Sequence, residues 1–167
     1  MTQPFVFVGS DPSGRAVTLA DVQRPHGDEL TLFRVQIEAD GVSASCGVES
    51  LGGDHGFLVD PEDTTTELGA STRLSELLSA LGTGPLWAGE RHWRSLGGEL
   101  QLRMTVDALG HVDVLFEVGP QPWRPTWSAS CVLRYDLGDL AETGRQLAEW
   151  FRQSLGQGPL GPPLASA

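Results

Sequence analysis

The sequence predicts an α+β fold: a mostly antiparallel, meander-like curved sheet of about six or seven strands with two helices packed on one face. Three observations predict it. In the stretch from Glu99 to Val118, ELQLRMTVDALGHVDVLFEV, Leu100, Leu102, Met104 and Val106 fall on alternate residues, a polar turn follows, and Val112, Val114, Phe116 and Val118 resume the alternation. That is a β-hairpin with one apolar face. Leu74, Leu77, Leu78 and Leu81 recur at i, i+3, i+4 and i+7, and Leu140, Gly144, Leu147, Ala148, Phe151 and Leu155 form a second helical stripe with Trp150 alongside. Two amphipathic helices need an apolar surface to cover, and the alternating strands supply it.

The elements follow in order. Phe5 to Val8 and Ala16 to Val22 are β-prone runs joined by turn formers, a first hairpin. Leu30, Leu32, Phe33, Val35, Ile37 and Ala39 alternate with one slip of phase, the signature of a β-bulge. Asp40-Gly41 suits a two-residue hairpin turn, and the return strand carries Val42, Ala44, Cys46 and Val48 inward. Glu49 to Ala70 reads as a long irregular acidic segment. Ser71 or Thr72 can cap the first helix and Gly82 suits its C′ position. Trp87 to Leu96 reads as an edge strand leading into the central hairpin. Gly119 to Pro125 is a stiff loop, and Trp127, Ala129, Cys131, Leu133 and Tyr135 form the last strand. The second helix runs from about Asp139, with Glu142 three residues on as in a capping box. Residues 1–155 form one domain, and the Gly- and Pro-rich 156–167 are expected to be a disordered tail. Val42, Ala44, Cys46, Leu100, Leu102, Met104, Val112, Val114, Phe116, Cys131 and Leu133 are expected in the core, under the helices.

Composition bounds the function. With 22 Asp and Glu against 11 basic residues the formal net charge is −11, so nucleic acid and anionic membranes are poor partners. Every basic residue is Arg, which excludes lysine Schiff-base chemistry, and the Ala, Gly, Arg and Pro bias suggests a GC-rich bacterial genome. Cys46 and Cys131 fall on apolar strand faces as small hydrophobes, and a disulfide would require those strands to be neighbours. The N-terminus lacks a signal-peptide pattern and no apolar run reaches the roughly 18 residues of a membrane span. A cytoplasmic location is expected.

The chemistry-bearing residues do not assemble into a motif. His26, His55, His92 and His111 lie far apart and lack metal-ligand spacing, so no metal and no cofactor is expected. Ser43 and Ser45 sit on an outward strand face, unlike a nucleophile elbow. Gly52-Gly53-Asp54-His55-Gly56 has no lysine, and Asp54 would repel a phosphate. What stands out is charge: Glu49, Asp54, Asp60, Glu62, Asp63, Glu67 and Glu76 face only Arg73 in one stretch. Beside it stands a Trp/Arg set, Trp87, Trp93 and Trp123 with Arg91, Arg94 and Arg124, whose aromatics serve either as interface anchors or as lids on the core.

WAGERHWRSLGGELQLRMTVDALGHVDVLFEV, followed by a Trp-initiated strand and a helix ending in Trp150-Phe151, resembles an uncharacterised bacterial family of small acidic α+β proteins. It is more distantly similar to the WapI-type immunity proteins of polymorphic toxin systems. The likeness spans about Leu30 to Leu155 and rests on Trp87-x-Gly89, Arg91-x-Trp93, Gly98-Glu99-Leu100 and Gly110-His111-Val112. The resemblance implies the fold and an immunity role, and it transfers no catalytic residue. The expected function is therefore a non-enzymatic protein-binding module that neutralises a basic, toxin-like partner through Asp54, Asp60, Glu62, Asp63, Glu67, Trp87, Arg91 and Trp93. The rival expectations are small-molecule binding or hydrolysis in a cavity of the curved sheet, and a structural accessory subunit.

Overall fold

The computed structural model describes residues 2–25, 29–63, 66–120 and 126–156. They form ten strands in one antiparallel sheet: β1 (Phe5–Phe7), β2 (Ala16–Gln23), β3 (Leu30–Ala39), β4 (Val42–Leu51), β5 (His55–Val59), β6 (Thr72–Arg73), β7 (Glu90–Ser95), β8 (Leu100–Val106), β9 (His111–Val118) and β10 (Ala129–Asp136). The strands lie side by side in chain order, a meander, except that β6 pairs only with β5. The helices are α1 (Leu74–Thr83) and α2 (Leu137–Ser154).

The count exceeds the expected six or seven because the segment from Glu49 to Ala70, read as irregular, contains β5 and leads into β6. Gly56 hides β5 in the sequence: a Cβ there would stand 2.3 Å from the Trp93 ring and 2.2 Å from the Arg94 carbonyl oxygen, so the position tolerates no side chain and breaks the alternation. β7 is correspondingly no edge strand, since it is bonded between β5 and β8.

The predicted hairpins are present. Asp40 (φ 53°) and Gly41 (φ 79°) close β3 onto β4 with two left-handed residues. The expected bulge in β3 is absent, and the irregularity lies in β2 between Ala20 and Gln23, where Asp21 has φ 56°. Thr31 is the reason for the misreading. It takes the inward position ahead of Phe33, Val35 and Ile37, where its Oγ1 accepts the Gly53 N–H at 3.0 Å, so a polar residue occupies a core site.

The sheet curls until β10 lies against β2 and β3. Ser10 donates its N–H to the Arg134 carbonyl at 2.7 Å, and Phe7 meets Phe116 at 5.1 Å between ring centroids. The enclosed core joins Val17, Leu19, Phe33, Val35, Leu100, Leu102, Met104, Val112, Val114, Phe116, Cys131 and Leu133. On β4 only Val48 and Ser50 are fully buried. Cys46 and Ala44 are half-buried and Val42 is 66 % exposed, contrary to expectation, because the β3–β4 tip reaches past the core. Trp127, expected inward, precedes β10 and is exposed. Cys46 and Cys131 are both unpaired.

The helices pack against each other and against one part of the core, with Leu74, Leu77, Leu78, Leu140, Leu147 and Phe151 buried. Phe151 meets Phe33 at 5.5 Å, and the Trp150 Nε1 donates to the Gln3 carbonyl at 2.7 Å. α1 runs through Gly82, which is not its C′ residue. The Ala141 nitrogen and Leu137 carbonyl would stand 2.5 Å from a Cβ there, so glycine serves a close helix crossing rather than a stop. Neither Ser71 nor Thr72 caps α1: Arg73 is the N-cap residue and makes no side-chain cap bond. α2 starts two residues before Asp139, whose carboxylate instead accepts the Ser10 hydroxyl at 2.7 Å. Of the expected 156–167 tail, residues 157–167 lie outside the described residues.

Candidate functional site

The acidic segment separates into a buried and an exposed part. Asp54, in the β4–β5 turn, is 2 % exposed. Its Oδ2 accepts the Ser75 N–H at 2.7 Å, its carbonyl accepts the Leu74 N–H at 2.9 Å, and its Oδ1 lies 3.3 Å from Arg73 Nη1. It is the cap that α1 lacks locally, and it is not available to a partner. A carboxylate at a helix N-terminus also complements the macrodipole.

Glu62 and Asp63 are exposed and Asp60 is half-buried. Asp60 Oδ1 accepts the Glu62 N–H at 2.8 Å, and Asp63 Oδ2 accepts the Thr66 hydroxyl at 2.9 Å, so the turn is ordered by its own acids. The β5–β7 ladder ends at Val59 and His92, which brings this turn beside Glu90 and Arg91. Glu67 is committed to Arg94 at 2.6 Å, and that guanidinium lies 5.1 Å from the Phe57 ring centroid.

The tryptophans part in the same way. Trp93 is 1 % exposed, with its Nε1 donating to the Thr72 carbonyl at 3.0 Å, so it is a core residue and no interface anchor. Trp87 packs half-buried on the core, and its Nε1 is buried without a hydrogen-bond partner. Arg91 donates to the carbonyls of Ala88 and Glu90, both at 3.2 Å. Trp123, Arg124 and His26 lie outside the described residues.

Sequence reasoning missed a second acidic surface. β9 and β10 pair Asp113 with Arg134 and His111 with Asp136. Arg134 lies 2.6 Å from Asp107 and 3.6 Å from Asp113, while His111 Nδ1 is 3.0 Å from Asp107 and its Nε2 is 3.7 Å from Asp136. The Asp107 carboxyl is held down at about 2, first by the His111 backbone N–H. The signal that could have found this surface was the register of β9 against β10, which follows from aligning the two apolar faces.

Nucleophile chemistry finds little support. Burial, reinforced by Glu99, pushes the Cys46 thiol up to about 11, where almost no thiolate forms near neutral pH. Burial also raises Glu99, whose Oε2 accepts the Ser95 hydroxyl at 3.1 Å. The interior of the sheet is filled by side chains, and two surface hollows lie at the helices. One of about 670 Å³ is a groove lined by both α1 and α2 beside Ser79, Ala80, Ala148 and Arg152, and one of about 490 Å³ lies beside Phe5 and Trp150. Among the described residues no three metal-capable side chains converge, and no helix is long and apolar enough to cross a membrane.

A family model described as a family of unknown function, DUF6228, matches residues 8–154. The chain belongs to this family. The match takes in β2 to β10 and both helices, so the DUF6228 region includes the curled sheet, the Asp54 cap and both acidic surfaces. No curated protein and no solved structure matches the chain.

Proposed function

We propose that this DUF6228 protein is a non-enzymatic binding module of immunity type that neutralises a basic protein partner. One observation carries the reading: seven of the eleven arginines are already committed to the protein's own acids. Arg15, Arg34, Arg73, Arg94, Arg134, Arg145 and Arg152 each bind a carboxylate of the same chain. With 22 acids against 11 basic residues, the charge left over at the surface is carboxylate. Such a field repels polyanions and steers polycationic proteins into contact. The unpaired thiols of Cys46 and Cys131 favour a reducing compartment, in keeping with protection of a cytoplasm.

The experiment starts from the neighbouring gene, which should encode a secreted protein with a basic C-terminal domain. Purified together, the two should form a complex that silences that domain, with an association rate that falls steeply between about 50 and 300 mM NaCl. Failure to bind at the lower salt, or an association rate indifferent to salt, would remove the reading.

A further inference from the structure

We propose that the β8–β9 turn and the residues behind it are the face that meets the basic partner. Leu109 enters an apolar recess on that partner, and Asp107, Asp113, Asp136 and Asp139 face the arginines or lysines around the recess. This rests on the function proposed above and adds to it a face and a partner chemistry.

Leu109 is 82 % exposed, the most exposed of the large apolar side chains described, and Leu86 nearby is 52 % exposed. A Cβ on Gly110, the residue after Leu109, would come 3.9 Å from Leu86 and 3.3 Å from Leu137, so these leucines border the same turn that carries Leu109. The patch is held ready. Asp107 Oδ1 accepts the N–H groups of Leu109 at 2.8 Å and His111 at 2.9 Å, and the Asp107 carbonyl accepts the Gly110 N–H at 3.1 Å. His111, set between Asp107 and Asp136, ties the turn to the start of α2. An anchor already fixed by its own turn loses little freedom on binding.

The charge around the patch selects the occupant. The ion pairs of the turn set three carboxylates, Asp107, Asp113 and Asp136, around Arg134 and His111, and Asp139 follows on the first turn of α2. A second copy would bring the same carboxylates face to face, and nucleic acid or anionic lipid would be repelled. A cationic surface with a central hollow satisfies both the leucines and the acids.

The test uses the full chain, with methyl and amide NMR, titrated with the peptide Arg-Arg-Leu-Leu-Arg-Arg and its analogue with serines for leucines. Saturable shifts should centre on Leu86, Leu109, Leu137 and the amides from Asp107 to Asp113. The serine analogue, and the Leu109→Ser protein, should each bind about tenfold more weakly, and the solvated Leu109→Ser should leave the melting temperature unchanged. Shifts centred on Asp60 to Asp63 would overturn this face while leaving a basic partner in place. Equal affinity for the two peptides would overturn the apolar anchor. No saturable binding of either peptide at about 50 mM salt would remove this face, while the proposed function stands or falls on the complex with the neighbouring gene product.

Discussion

Because Asp54 receives a helix N–H and the Arg73 guanidinium while buried, its loss leaves the Ser75 N–H without its acceptor and Arg73 with only the Gly52 carbonyl and a distant Glu76. Asp54→Ala should lower unfolding stability in urea by about 1–3 kcal/mol, and Asp54→Asn by less, because an amide oxygen still accepts the Ser75 N–H. Trp93→Ala should cost about 3–5 kcal/mol through the cavity it leaves, and binding measured on whatever remains folded should be unchanged. An equal stability for Trp93→Ala and the parent protein would contradict its place in the core. At this scale the sequence was least legible. Asp54 and Trp93 carry the composition of a surface site, yet both are spent inside, since only the fold reveals that α1 begins without a cap of its own and that Gly56 clears space for an indole. Glu62 and Asp63 stayed at the surface, while Asp60 is half-buried with its carboxylate bonded only within its own turn.

Among the elements, alternation and helical spacing were read correctly wherever the strand had a continuous apolar face, as in β8, β9 and β10. They failed where a polar or glycine residue stood at an inward site, as Thr31 does in β3 and Gly56 in β5. The helix pair offers a contrast that tests this packing. A Cβ on Gly144 would lie 2.5 Å from Ser79 Oγ and 2.7 Å from the Ser75 carbonyl, whereas one on Gly138 meets nothing within 4 Å. Both sites lie in α2, so alanine gains helix propensity at each, by about 0.5–1 kcal/mol. Gly138→Ala should therefore stabilise the protein, and Gly144→Ala should destabilise it, because prising the helices apart costs about 1–3 kcal/mol. The β8–β9 turn has its own pH signature. The folded Asp107 carboxyl titrates at about 2, below its ordinary 3.8. The turn therefore has its full stability above about pH 4 and loses it as pH falls toward 2. Protection of the Leu109 and His111 amides, measured against their intrinsic exchange rates, should fall through that window, and in Asp107→Ala it should already be low at neutral pH.

For the whole molecule, charge and contact are separable quantities. The net charge of −11 acts at a distance, whichever face finally touches the partner, and so governs how often a basic protein arrives. The patch around Leu109 acts only after arrival and governs how long it stays. Reversing Asp60, Glu62 and Asp63 to Arg changes the field and loosens only the local turn that Asp60 and Asp63 order, since that turn lies past the end of the β5–β7 ladder. That variant should associate more slowly than the parent at low salt, with the difference shrinking as salt rises and the dissociation rate unchanged. Leu109→Ser should show the converse, an ordinary association rate and a faster dissociation. Stopped-flow mixing with the basic partner measures both rates on each variant. A triple reversal that accelerates dissociation would make the 60–63 turn part of the contact itself, and would move the interface from the β8–β9 turn to the end of the β5–β7 ladder.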